Sequence, residues 1–131
     1  EENFRKRAYI AAVCRCFPGK TKQGGDRVPS DMEIMECSGW MKAEIELMSP
    51  RLIIPVGRLA IEQFLDKAPL TALIGKRFKK KVYGCQCDVI PLPHPSGAST
   101  WFKREPGSQL LKEALELLNR HPAWIEICRR V

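Results

Sequence analysis

The sequence predicts an α/β domain, a sheet layered with helices. Two short apolar runs, Tyr9–Val13 (YIAAV) and Leu52–Val56 (LIIPV), have the length and texture of buried strands. Stretches with apolar residues at helical spacing follow them, and this alternation belongs to a sheet covered by helices. The 131 residues, 44% hydrophobic and 28% charged, suit one compact domain with a real core and exclude a disordered tail.

Taken in order, the Tyr9–Val13 strand leads into a loop of turn formers, Phe17 to Pro29, with Gly19, Gly24 and Gly25. Ser30-Asp31-Met32-Glu33 then reads as a capping box, with Ser30 as N-cap and Glu33 at the third helical position. Ile34, Cys37, Met41, Ile45 and Met48 recur on one stripe and predict a helix ended by Ser49-Pro50. Leu52–Val56 is apolar on both faces, as a strand covered on both sides is. Gly57 turns it into a short helix over Arg58–Leu65. A hairpin is expected across Phe78–Val82 and Asp88–Leu92, followed by the loop Pro93–Phe102. The last helix runs from about Pro106 to Asn119 with Leu110, Leu111, Ala114, Leu117 and Leu118 inward. His121, in a His-Pro-Ala-Trp turn, reads as structural.

The net charge of +7 is unevenly placed: residues 1–28 and 76–104 are basic, and residues 29–66 are acidic. Brought together, the two basic stretches would form a face for phosphate or another polyanion; apart, they describe an ordinary basic protein. No apolar run approaches the roughly 20 residues of a membrane helix. No export signal precedes the six cysteines, so a reducing cytoplasm is expected. A monomer with no membrane partner is expected as well. The spacings Cys14-x-Cys16 and Cys85-x-Cys87 are not the C-x-x-C of common zinc or redox motifs, and on strands each pair would share a face. The chain opens at Glu1 rather than Met and reads as an N-terminally incomplete piece of a longer protein.

Three places could carry chemistry. The strand-to-helix turn Val56-Gly57-Arg58 either seats a phosphate, through close backbone approach and free helix N–H groups, or simply turns tightly. In Pro93-His94-Pro95-Ser96-Gly97-Ala98-Ser99-Thr100-Trp101-Phe102, two prolines stiffen the backbone around His94. Trp101 and Phe102 could stack on a base or fill a gap in a duplex, with Lys103 and Arg104 beside them. The run Lys76-Arg77-Phe78-Lys79-Lys80-Lys81 cannot all face one ligand if it is a strand, and lysines also protect sheet edges.

Arg15-Cys16-Phe17-Pro18-Gly19, Arg27-Val28-Pro29-Ser30-x-x-Glu33, Cys37, Pro50-x-Leu52-Ile53-Ile54-x-Val56-Gly57-Arg58-Leu59-Ala60 and His94-Pro95-Ser96-Gly97 occur in one order. That order, from about Tyr9 to Leu118, resembles the uracil-DNA glycosylase superfamily in its iron–sulfur, family 4-like branch. The resemblance implies a three-layer α/β/α fold with a central, mostly parallel sheet. It implies a DNA repair enzyme that hydrolyses the N-glycosidic bond of uracil or another deaminated base, with DNA as partner. His94 would stabilise charge on the departing base. Gly57 and Arg58 would meet a DNA phosphate, and Ser96, Gly97, Ser99, Trp101, Phe102 and Arg104 would enter the duplex and hold the space of the flipped nucleotide. Cys16 and Cys37 match two of four ligands of a 4Fe–4S cluster, the other two belonging to a region before Tyr9 together with the family's first motif. Ala12 stands where a base-recognising Asn is usual, which is the departure that favours a non-catalytic nucleic-acid-binding relative. A structural metal site at the cysteines is the third reading.

Overall fold

The computed structural model describes residues 2–96 and 99–128. After a four-residue helix, α1 (Glu2–Arg5), the chain runs without regular structure to α2 (Asp31–Met48). The start of α2 is the capping box read from the sequence. The Ser30 hydroxyl accepts from the Glu33 N–H at 3.4 Å, and the Glu33 carboxylate accepts from the Ser30 N–H at 2.7 Å. Ser49 closes the helix in the left-handed region at φ 44°, its N–H donating to the Ile45 carbonyl. Ile45 is buried and Ile34, Cys37 and Met41 are half-buried, while Met48 stays exposed. The opposite face is also apolar, with Met32, Met35, Trp40 and Leu47 exposed.

The described sheet is small and mixed. Its strands β1 (Leu52–Ile53), β2 (Phe78–Val82) and β3 (Cys85–Val89) lie in the order β1-β3-β2. β1 runs parallel to β3, with Leu52 opposite Asp88, and β2 runs antiparallel to β3. The parallel pairing continues beyond the strand ends. Ile90 N–H donates to the Ile53 carbonyl, Leu92 N–H to Pro55, and Gly57 N–H to Leu92 at 2.9 Å. Pro55 has no N–H to give, which is why the regular ladder is shorter than the Leu52–Val56 strand expected. Leu52, Ile53 and Ile54 are only half-buried and Val56 is exposed, because β1 has β3 on one side and no described strand on the other.

Two expected elements differ. The hairpin returns at Cys85, not at Asp88, because Tyr83 and Gly84 form a two-residue turn with φ of 45° and 83°. Paired left-handed residues match the twist of the flanking strands, so no longer loop is needed. Tyr9–Val13 is not a strand: Tyr9 and Ile10 are exposed, and the segment shares no ladder with the described sheet. Side chains hold it to α2 instead. The Tyr9 hydroxyl donates to the Glu44 carboxylate at 2.9 Å, and the Arg15 guanidinium pairs with the same carboxylate and with the Ala12 carbonyl. An apolar run becomes a strand only where a sheet edge takes up its N–H and C=O groups.

The core gathers Ile61, Leu65, Leu73, Ile74, Cys87, Val89 and Ala114. They come from α3 (Arg58–Ile61) and the turns after it, α4 (Leu70–Leu73), β3, and α5 (Gly107–Arg120). The predicted helix over Arg58–Leu65 is therefore shorter, although Phe64 and Leu65 N–H groups both return to the Ile61 carbonyl. On α5, Ala114 and Leu118 face inward as expected, and α6 (Pro122–Cys128) follows. Between them His121 is buried. Its Nδ1 accepts from the Ala123 N–H at 3.2 Å, so Nε2 carries the hydrogen and donates to Asp88 Oδ2 at 3.0 Å. That bond pins the α5–α6 corner to β3.

Charge follows the local fold. Arg15 and Arg27, from the basic N-terminal stretch, pair with Glu44 and Glu33 of the acidic helix. On β2 the lysines point both ways: Lys79 and Lys81 are exposed, while Lys80 shares the half-buried face of Phe78 and Val82. No helix among the described residues is long and apolar enough to cross a membrane.

Candidate functional site

The parallel pairing of β1 with β3 delivers two chain turns to one place. Beyond Val56, which bridges Leu92, Gly57 bends the chain into α3 with φ 84° and ψ 158°, a conformation that side chains resist. Two residues beyond Leu92, His94 leaves the other strand. A Cβ placed on Gly57 would stand 3.0 Å from His94 Cδ2 and 3.3 Å from its Cβ. Glycine is therefore required twice here, once for its φ and once for the imidazole lying over it.

His94 is exposed at this edge, and Ser96 sets its orientation. The Ser96 N–H donates to Nδ1 at 3.1 Å, which leaves Nε2 to carry the hydrogen of the neutral ring. The N–H of Ser99 in turn donates to the Ser96 carbonyl at 3.0 Å. The geometry thus presents a ring N–H donor beside a glycine turn. Arg58 opens α3 next to that turn, 3.6 Å from Glu62, with a long 3.4 Å contact to the Ala68 carbonyl.

The loop beyond His94 divides into anchored and outward residues. Trp101 starts a single 3₁₀ turn, Trp101–Lys103, and its ring packs against the core. Gly107 is buried beneath it: a Cβ there would overlap the Trp101 carbonyl oxygen and meet the ring at 3.0 Å. Ser96, Ser99 and Phe102 are half-buried and Arg104 is exposed. Gly97 lies outside the described residues.

A second cluster lies at the N-terminal end of α2. Cys14, Cys16 and Cys37 line one cavity of about 80 Å³, walled by Phe17, Pro18 and Pro29. The Arg15 N–H donates to Cys37 Sγ at 3.4 Å. Partial burial, and then the hydrogen bond it shares with Cys37, push the Cys14 thiol above its ordinary value. Arg27 holds Glu33 in place with contacts of 2.5 and 2.9 Å, and lowers that carboxyl to about 2, aided by Ser30. The sequence pointed to Cys16 and Cys37; that Cys14 shares their cavity was legible only as an unassigned C-x-C. Cys85 and Cys87 lie elsewhere, on β3, where burial raises the Cys87 thiol.

The thiols suit an iron–sulfur group by chemistry, and the Arg15 N–H gives Cys37 the sulfur hydrogen bond such ligands use. Among the described residues no three Cys, His, Asp or Glu side chains converge as a single metal ion requires.

The chain is an α/β protein whose glycine turn and oriented histidine stand together at the carboxyl ends of adjacent parallel strands, the edge at which open α/β sheets take their ligands. The chain belongs to the uracil DNA glycosylase superfamily, whose family model matches residues 1–119. It is 28% identical over 129 residues to the type-4 uracil-DNA glycosylase of Thermotoga maritima, a match covering 93% of this chain and 58% of that protein. It is 27% identical over 99 residues to the type-4 uracil-DNA glycosylase of Saccharolobus solfataricus, covering 72% and 44%. A type-5 uracil-DNA glycosylase of Pyrobaculum aerophilum is 33% identical over 52 residues, 40% of this chain and 20% of that one. The chain spans about half the length of the curated relatives it matches.

Proposed function

We propose that the protein is a DNA glycosylase that releases uracil or another deaminated base from DNA. The observation that carries this reading is His94 lying over Gly57 with Nδ1 occupied by the Ser96 N–H. When the bond between C1′ and the base nitrogen breaks, its electron pair leaves with the base. The Nε2–H of His94 donates to the base oxygen on which that charge collects, an interaction stronger in the transition state than in the ground state. Water supplies hydroxyl to C1′ and a proton to the departing base, leaving an abasic site.

DNA contacts follow from the same edge. The Gly57 N–H is spent on Leu92, so the adjacent phosphate is met by N–H groups of the first turn of α3 and by Arg58. Trp101 serves as the anchor of the loop, Phe102 with Arg104 reaches the duplex beside Ser96 and Ser99, and Gly97 is assigned a DNA contact by the resemblance alone. The whole domain is read as the three-layer α/β/α arrangement, to which the mixed sheet contributes its parallel β1–β3 pair. The iron–sulfur branch is supported by the type-4 relatives and by the thiol cavity, in which Cys16 and Cys37 would be ligands. A bound cluster would cross-link the N-terminal segment to α2. The protein is read as acting in the cytoplasm as a monomer.

Ala12 favours a second reading, a member of the superfamily that binds nucleic acid without excising a base. Its carbonyl is occupied by Arg15, and it offers no side-chain amide to a base. The longest native form of the gene product, assayed on a uracil-containing oligonucleotide with alkali cleavage, separates the two. Cleavage lost by about 10²-fold or more in His94→Ala supports the enzyme. A loss below about threefold removes His94 from that role, and binding without abasic product from any deaminated base selects the second reading.

A further inference from the structure

We propose that Lys76 and Arg77 form a second phosphate contact for DNA, on the far side of His94 from Arg58. This rests on the DNA glycosylase reading above and adds two residues to its DNA contacts. The sheet order β1-β3-β2 decides where the pair stands. The chain beyond β1 turns at Gly57 into Arg58, and the chain beyond β3 leads to His94. β2 runs the other way, with Phe78 opposite Val89, so it starts at the edge where those two end. Lys76 and Arg77 come just before Phe78, and both are exposed. Neighbouring strands lie about 4.8 Å apart, which puts the start of β2 about 10 Å from the end of β1. That span is about three steps of a DNA strand at roughly 3.4 Å each.

Ion pairing sets this stretch apart. Residues 76–104 hold seven Lys and Arg and one acid, Asp88, whose carboxylate is bonded to His121. Among the described residues none of those seven has an ion pair, whereas Arg15 and Arg27 of the N-terminal stretch are spent on Glu44 and Glu33. Glu113 reaches the preceding Gly75, with its Oε1 bonded to the Gln109 amide, and pairs with neither cation. No protein ion pair therefore has to break when Lys76 and Arg77 take a phosphate.

Strand alternation divides the rest of the run. Lys79 and Lys81 sit opposite Asp88 and Gln86 on one face, and Lys80 sits opposite buried Cys87 on the other. These three step away from the His94 edge along β2. Phe78 and Trp101 both pack against the core, so the 3₁₀ turn that leads to Arg104 rises from the same core as the start of β2. A backbone laid along this edge meets Arg58, passes His94 and reaches Lys76 and Arg77.

The test is binding of the intact protein to a uracil-free duplex oligonucleotide, followed by fluorescence anisotropy over a range of salt. Each phosphate contact contributes about 0.9 to the slope of log K against log salt, so the double variant Lys76→Ala/Arg77→Ala should lower it by about two. The double variant Lys79→Ala/Lys81→Ala removes the same charge from β2 and should keep a slope near wild type. Lys76→Arg/Arg77→Lys keeps both charges and should keep the slope. An unchanged slope in Lys76→Ala/Arg77→Ala overturns the proposal. So does an equal fall in both alanine pairs, which would be a diffuse effect of net charge. A slope lost in the charge-keeping pair also overturns it, because the loss would then be structural. A wild type without salt-dependent binding overturns it together with the DNA reading. A wild type that binds DNA and releases uracil, beside an alanine pair at position 76 and 77 with the wild-type slope, removes the second contact and leaves the glycosylase reading standing.

Discussion

His94 lies over Gly57, so that a Cβ on the glycine would stand 3.0 Å from the imidazole Cδ2, although 37 positions separate the two in the chain. The contact exists because Pro55 and Gly57 bond the same Leu92 that leads into Pro93-His94. The strand pair thus sets the height of the imidazole above the turn.

Gly57→Ala should therefore act on both stability and site. The backbone at φ 84°, ψ 158° is closed to alanine at a cost of order 1–3 kcal/mol. We expect a lower urea midpoint and loss of the His94-dependent activity. A variant as stable as wild type would show that the turn relaxes freely.

The Trp101 loop separates a core anchor from the residues proposed to meet DNA. Trp101→Ala should destabilise the fold by about 2–4 kcal/mol, since its ring packs on the core and over Gly107. Gly107→Ala should destabilise comparably, because its Cβ has no room beneath the Trp101 carbonyl. Phe102→Ala should leave the melting temperature nearly unchanged and weaken binding to duplex DNA. Equal melting temperatures for all three would contradict this division.

Removing the buried partner of Asp88 should be costly. His121→Ala leaves that carboxylate without its 3.0 Å donor and should cost about 1.5–3 kcal/mol in chemical denaturation. Asp88→Asn keeps an acceptor for Nε2–H and should cost less. The reverse order would mean that packing, not the hydrogen bond, holds the α5–α6 corner.

Glu33 links stability to pH. Its folded value is lowered from 4.5 to about 2, first by Arg27 and then by Ser30. A depressed carboxyl stabilises fully above its unfolded value and loses that contribution as pH falls through the folded one. Wild type should thus exceed Glu33→Gln in melting temperature at neutral pH and lose the advantage between about pH 4.5 and pH 2. Both partners are well exposed, so added salt should shrink the difference.

DNA binding by the intact protein should fall steeply with salt as counterions are released. Arg58→Ala and Arg104→Ala should each reduce the slope of log K against log salt by about one. An unchanged slope in both would move the phosphate contacts away from the His94 edge.

Several features were legible in the sequence because they rest on neighbours in the chain. The Ser30–Glu33 capping box, the stripe from Ile34 to Ile45 and the inward face of α5 follow from helical spacing alone. The glycine at position 57 stood out as the turn that ends an apolar strand, and the histidine at 94 as the residue held between two prolines. Pairing was not legible. Tyr9–Val13 has a strand's composition, yet the described sheet takes up none of its backbone, and Tyr83-Gly84 brought the hairpin return forward to Cys85. Which arginine meets which acid was equally hidden, since Arg15–Glu44 spans 29 positions.

The sequence by itself determined the two long helices, α2 and α5, and the chemical groups available, because these depend on helical spacing and side-chain type. Only the tertiary structure decided which of those groups meet. Parallel pairing laid His94 over Gly57, and packing of the N-terminal segment on α2 put Cys14 beside Cys16 and Cys37. Both depend on contacts between distant segments, whose formation is governed by the burial and hydrogen bonding of the whole fold.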